Sequence, residues 1–370
     1  MLLHFLPFLR AVLAFAVVLG VLVFVHELGH YLAARWRGVH VEVFSIGFGR
    51  ALASWTDSVG TVWKIAWLPL GGYVKMHGQE RPDHAAEDVR AGWIAGRTFH
   101  EKRVGSRAIV VAAGPIANFL LAVVLFAALF ATAGRPVTPP VIGKVLAGSG
   151  ADHAGLQAGD RLVAIDGQPI ARFEDIQRIV TARPDQKLAL EVQRGEQRLD
   201  LAATTQSRMA GSERIGVLGI GAGAVTFQRL PPLQAVGQGF AETWQVGRDA
   251  LVGAWQMISG RRGTDELGGP LRIAQLSGEV VEHGVANLIS FIALLSVNLG
   301  LINLFPIPIL DGGHLLFYLA EAVLGRPIPP RAQEYGLRAG FALLVGLFIF
   351  VTWNDLARIG LFRWVAGLIG

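Results

Sequence analysis

The chain has 370 residues, 52% hydrophobic and only 16% charged, with a mean hydropathy of +0.46; soluble domains carry about 25% charged residues. Disordered, coiled-coil and collagen-like chains are excluded, and the blocks of apolar residues point to a bilayer. The absence of cysteine excludes a disulfide framework and cysteine-ligated zinc, haem or iron–sulfur sites; the net charge is +5, and basic residues cluster in one loop beside apolar spans, a membrane pattern and not a nucleic-acid surface.

The first apolar stretch, Phe8 to Ala34 in a segment 1–34, is long enough to cross. About 20 residues at about 1.5 Å rise suffice. A cleaved signal peptide is the competing reading, but Arg10 is its one basic residue and the apolar run exceeds an h-region. Inside the stretch stands His26-Glu27-Leu28-Gly29-His30. Histidines at i and i+4 share one helix face about 6 Å apart along the axis. Both imidazoles can then reach one Zn²⁺, with Glu27 beside it as a candidate general base. The pattern also arises by chance as two polar neighbours on a helix. Three ionisable groups inside a membrane span, however, require a shared partner, and a metal supplies one.

Between Arg35 and Arg103 lie seven arginines and three lysines, against Arg10 alone before the first span. The loop 35–106 is therefore expected in the cytosol. Within it Thr61–Trp67 and Gly72–Met76 predict two short strands, a hairpin over about 60–78. An ordinary cytosolic hairpin is the plain reading; the apolar Val62, Trp63, Ile65, Trp67 and Leu70 favour one that dips into the membrane. The second span, 107–134, contains the polar Asn118, readable from the residues as a helix-packing amide.

Residues 138–206 alternate apolar and polar positions around Asp166-Gly167, with a helix predicted over Phe173–Thr181 and a strand over Lys187–Val192. This is a β-rich module. Over 232–262, Val236, Phe240, Trp244, Leu251, Trp255 and Ile258 recur at helical spacing. Such an amphipathic helix lies in the outer interface or packs under the β-rich module. A third apolar segment, 285–325, is broken by Pro306, Pro308, Gly312 and Gly313. Broken backbone at membrane depth is tolerated only where it is buried in protein or lines a cavity. Asp311 at such a break is a functional candidate, and the best third ligand for a metal that also needs an open place for water. His314 competes for that role, and a helix N-cap is the plain alternative for Asp311. A fourth span, 334–354, precedes a tail, 355–370. Four spans put both termini and the segment 135–284 outside, with Arg326 and Arg331 in a cytosolic turn.

The paired motifs HELGH and Asn303-Leu-Phe-Pro306-Ile-Pro308-Ile-Leu310-Asp311-Gly312-Gly313-His314 resemble the site-2 protease family of intramembrane zinc metalloproteases, in its RseP type. Phe44–Gly49, Pro69–Met76 and Ala113–Asn118 add to the resemblance, which covers nearly the whole chain. It implies a polytopic α-helical membrane protein with four transmembrane helices, a membrane re-entrant β-hairpin and an inserted α+β PDZ-like domain. It also implies that His26, His30 and Asp311 hold Zn²⁺ and that Glu27 is the catalytic acid/base. Asn303, Pro306 and Pro308 match positions near the active site, the asparagine supporting substrate or oxyanion. Gly72, Tyr73, Val74 and Lys75 belong to an edge that receives an unwound substrate by strand addition. Many relatives carry two tandem PDZ domains where this chain has room for one, and Asp265–Pro270 departs from the family's asparagine-bearing version.

The implied function is cleavage of single-span membrane proteins in the bacterial inner membrane, with the active site near the cytosolic side. An anti-sigma factor already clipped by another protease is the first expected substrate, and a leftover signal peptide the second. The PDZ-like domain would take a peptide or chain end, or bind none. The lipid bilayer is an expected partner and nucleic acid is not. From a different class, a PDZ-bearing scaffold with a structural zinc needs no Glu27 and closes its metal with a fourth protein ligand. A transporter also uses broken helices, but the four spans show no repeated halves.

Overall fold

The computed structural model describes residues 2–79, 86–210, 213–261, 263 and 268–359. Asp265–Leu267 and the tail beyond residue 359 lie outside the described residues. The chain divides into two compact units, residues 1–129 with 232–370, and residues 130–231. Four helical stretches, Leu9–Trp36, Val104–Thr132, Val285–Asn303 and Pro330–Arg358, are long and apolar enough to cross a membrane.

Helix α1 spans Leu2–Trp36 and carries no charged residue between Arg10 and His26. Two long strands follow, β1 (Val41–Thr56) and β2 (Val62–Met76). The sequence predicts two short strands here, and the register is richer than a hairpin. Val43–Ile46 pairs on one flank with Lys75–Gly72 in opposite sense, and on the other with Val62–Ile65 in the same sense. Ala51–Thr56 then folds back on Ala66–Val62. The product is a bent, bulged sheet in which Gly72–Met76, among the described residues, forms an outer edge. The sheet leaves Leu52, Trp55 and Trp67 exposed. Phe44, Trp63 and Val74 anchor the near end against Tyr31 of α1 and Val110 and Val111 further along the chain.

A single turn of helix, α2 (Glu87–Ala91), leads to α3 (Val104–Thr132). The unit 130–231 follows the rules of a soluble domain. Its elements are β3 (Arg135–Val137), β4 (Ile142–Val145), α4 (Gly150–His153), β5 (Arg161–Ile165), β6 (Gln168–Pro169), α5 (Phe173–Thr181), β7 (Lys187–Arg194) and β8 (Gln197–Thr204). Short strands β9 (Gln206–Ala210), β10 (Glu213–Val217), β11 (Ile220–Ala222) and β12 (Thr226–Gln228) complete it. The main sheet runs β6-β5-β7-β8, flanked by the pairs β9–β10, β4–β11 and β3–β12. Strict alternation along β7 sends Leu188, Leu190 and Val192 inward, where they meet Phe173, Ile176 and Val180 of α5 in one closed apolar core.

The chain returns to the first unit as α6 (Pro232–Ile258). It turns its small residues Ala235, Gly239, Thr243 and Gly253 inward and leaves Leu233, Phe240, Trp244, Trp255 and Ile258 exposed. Small residues let helix backbones approach closely where no water drives association, and here Gly239 lies against Val123 and Ala127 of α3. Helices α7 (Pro270–Glu282), α8 (Val285–Asn303), α9 (Asp311–Leu324) and α10 (Pro330–Ile359) follow. The buried Asp355 of α10 accepts hydrogen bonds from the backbone N–H groups of Gly269 (3.0 Å) and Arg272 (3.1 Å), which ties α10 to the start of α7.

Candidate metal centre

Two helices, α1 and α9, bring three side chains with possible ligand atoms to one point. The i, i+4 spacing on α1 stacks His26 and His30 edge to face, with ring centroids 4.8 Å apart. Their Nε2 atoms are 3.2 Å from each other. Asp311 reaches the same point, its Oδ2 lying 3.2 Å from His26 Nε2 and 3.4 Å from His30 Nε2. It is the first residue of α9, while Leu310 occupies the cap position, so capping is not its role. The turn before it carries Ile309 at a φ of +99°.

These separations test the fit of a metal directly. A tetrahedral zinc with bonds of about 2.0–2.1 Å has ligand–ligand edges of about 3.3–3.4 Å. Among the described residues, His26, His30 and Asp311 form the one group of three such ligands. His30 Nδ1 lies 2.9 Å from the carbonyl oxygen of Val110. That contact fixes the proton on Nδ1 and leaves Nε2 free to ligate. Gly114 supplies a cradle that only glycine allows. A methyl group there would sit 2.5 Å from His30 Cε1 and 2.9 Å from His26 Cε1, and closer still to His30 Nε2. The residues present therefore suit a zinc ion.

The cluster opens into a cavity of about 1160 Å³. Glu27, Gly72, Tyr73, Val74, Asn303 and His314 line it together with His26, His30 and Asp311. Glu27 is buried next to the edge strand, since a side chain at Gly72 would come within 3.0 Å of Glu27 Cγ and 2.8 Å of Val23. Not every residue expected at the site lies in this lining. Lys75 turns away to pair with Glu42 at 2.7 Å. Pro306 and Pro308 shape the turn, and Pro308 abuts α10 at Gly340. His314 lines the cavity outside the ligand group.

Arg107 and Glu321 are among the lining residues that the sequence did not single out. Arg107, at the start of α3, pairs with Glu321 of α9 at 2.7 Å, with the Tyr318 ring 5.0 Å from the guanidinium carbon. Both charges lie within or beside apolar helices, and that was the available signal.

Comparison with known proteins agrees with this geometry. The description "Peptidase family M50" matches residues 14–347. A Rhizobium meliloti protein named as a zinc metalloprotease is 44% identical over 92% of this chain and 95% of its own length. The metalloprotease MmpA of Caulobacter vibrioides is 37% identical over 98% of this chain and 99% of its own. The regulator of sigma-E protease RseP of Salmonella typhimurium is 33% identical over 94% and 98%, respectively.

Proposed function

Since the chain belongs to peptidase family M50 and is a zinc metalloprotease of the site-2 type, we propose that it hydrolyses peptide bonds within or near the transmembrane segments of other membrane proteins. The observation that carries this reading is the convergence of His26, His30 and Asp311 beside Glu27, in a cavity that reaches the edge strand Gly72–Met76. His26, His30 and Asp311 hold the metal. When bound, zinc lowers the pKa of a water toward about 7 and polarises the scissile carbonyl. Glu27 takes the water proton and returns it to the leaving amine. Asn303, in the same cavity wall, donates toward the developing oxyanion.

A transmembrane helix hides its peptide bonds in its own ladder, so cleavage requires it to unwind. The outer edge strand borders the cavity through Gly72, Tyr73 and Val74, and strand addition there would hold the opened chain. The exposed Leu52, Trp55 and Trp67 favour a sheet that enters the bilayer from the cytosolic loop. In this reading the loop 35–106 belongs to the cytosolic side, both termini and residues 130–231 face the periplasm, and the active site lies near the cytosolic side. The β-rich unit is a single PDZ-like domain that screens substrates or takes a chain end. Pro306 and Pro308 support the Asp311 turn, while Lys75 holds the edge through Glu42.

The relative named as a regulator of sigma-E protease suggests a substrate class for this chain, a single-span anti-sigma factor that an earlier cut has released. Remnant signal peptides share the same geometry. A scaffold with structural zinc is disfavoured because the ligand group has three members among the described residues, with Glu27 beside it. The test is cleavage of a model transmembrane substrate in liposomes. Glu27→Gln should lower the rate by at least the 10²–10⁴-fold typical of losing a general base, about that scale, with zinc retained. Cleavage at the wild-type rate in that variant sinks the assignment.

A further inference from the structure

Asn118 stands one helical turn beyond the Gly114 cradle on α3 and is completely buried. Its side-chain amide lies 3.1 Å from Nδ1 of His26, the ring nitrogen on the side away from Asp311. Its backbone carbonyl separately accepts a 2.7 Å hydrogen bond from Ser296 of α8. Main chain and side chain are thus engaged on different partners. The amide oxygen, Oδ1, is buried and otherwise has no hydrogen-bond partner, a costly condition for a polar atom.

The chemistry of a metal-ligating imidazole resolves both observations. A histidine that ligates through Nε2 carries its proton on Nδ1 and needs an acceptor there. An amide presents either its oxygen or its nitrogen by a half-turn of the same group. With the oxygen toward His26, Nδ1–H gains its acceptor and Oδ1 gains its partner. Val110 does the same for His30 through a backbone carbonyl, so the two ligands are oriented from one helix by two different devices. Only the one at His26 depends on a side chain.

We propose that Asn118 is the positioning residue for the zinc ligand His26, accepting the Nδ1 proton through its amide oxygen and so setting the ring's tautomer and direction. The inference rests on His26 being a zinc ligand, as in the function proposed above. It goes beyond a helix-packing role, because packing needs the shape of asparagine and not its acceptor.

Two nearly isosteric variants separate those roles in the full-length protein in detergent. Asn118→Asp keeps an acceptor at the same place, and Asn118→Leu keeps the volume without one. Zinc affinity is read by competition with a chromophoric chelator, and ligand geometry by the visible absorption of Co²⁺ in place of zinc. Removal of an outer-shell partner typically costs about 10–100-fold in metal affinity. Asn118→Leu should lose that much and shift the Co²⁺ bands, while Asn118→Asp should stay within a few-fold of wild type with its bands unmoved. Equal affinity and identical Co²⁺ spectra for Asn118→Leu and wild type overturn the proposal, as does an equal loss in both variants. His26→Ala is the control on the underlying reading. If zinc stays bound at full affinity in His26→Ala, the ligand assignment and the proposal both fall; if it is lost there but Asn118→Leu binds as wild type, the proposal alone falls.

Discussion

The two units of this chain bury opposite things. In residues 130–231, the interior is Leu162, Ile165, Leu188, Leu190 and Val192, each at most 1% exposed, and the carboxylate buried with them, Asp160, is paired with Arg194. In the other unit Leu13 is 58% exposed and Val124 62%, whereas Glu27, His30, Asn118, Ser296 and Asp355 are buried. One half uses water as its solvent and hides apolar groups from it. The other faces lipid, which has no quarrel with leucine, and hides the polar groups that lipid cannot satisfy. A metalloprotease of the bacterial inner membrane joins the two along one chain. Stability in residues 130–231 should therefore answer to volume, and in the membrane unit to polar partners and close backbone approach.

The largest effect should follow from a single methyl group in the membrane unit. Gly114→Ala places a carbon against both imidazoles at once, where the rings are pinned by Val110 and Asn118 and cannot both retreat. Zinc affinity should fall by more than about 100-fold, beyond the usual penalty for losing an outer-shell partner. Measured by chelator competition, a loss of less than about tenfold would refute the cradle.

The complementary change in the β-rich unit should leave zinc untouched. Leu188→Ala empties a site 1% exposed in the closed core. Such truncations cost about 2–5 kcal/mol. Denaturant-dependent hydrogen exchange over β5, β7 and β8 should report that loss, with zinc affinity and the α1 and α3 amides unchanged. Loss of zinc in this variant would break the division between the units.

How legible this was from residues alone differs by unit in the same way. Period-two alternation made Lys187–Val192 readable as a strand, and the observed strand is Lys187–Arg194. The helix predicted over Phe173–Thr181 occupies those residues. The short strands β11 and β12 gave no such signal, because their pairing is decided by distant partners such as Ile142 and Val137. In the membrane unit, ionisable residues inside apolar runs singled out His26, Glu27, His30 and Asp311. Contacts made by small residues stayed silent: nothing in Ala113-Gly114-Pro115 says that two imidazoles press on the glycine. Strand β1 was missed for a local reason, since Gly47 and Gly49, at φ of +87° and +86°, interrupt its pattern.

The smallest effect separates the units by charge. In the β-rich unit, Arg194 holds the buried Asp160 through two contacts, 2.7 Å to Oδ1 and 2.8 Å to Oδ2, and the N–H of Gln157 adds a third at 2.9 Å. The guanidinium beside it holds the Asp160 carboxyl below the usual carboxylate range. A folded-state pKa below the unfolded value of about 3.9 means that the unfolded chain binds more protons. The pair therefore contributes in full above that unfolded value, and the contribution drains away as pH falls through the depressed folded one. Arg194→Gln should flatten this acid limb while leaving stability near pH 7 less changed than Leu188→Ala does. Methyl resonances of Leu162 and Leu190, followed in the full-length protein from pH 7 downward, read the local unfolding. An acid limb as steep in Arg194→Gln as in wild type would mean that Asp160 owes its charge to the Gln157 N–H, and that even this buried carboxylate is held by the backbone.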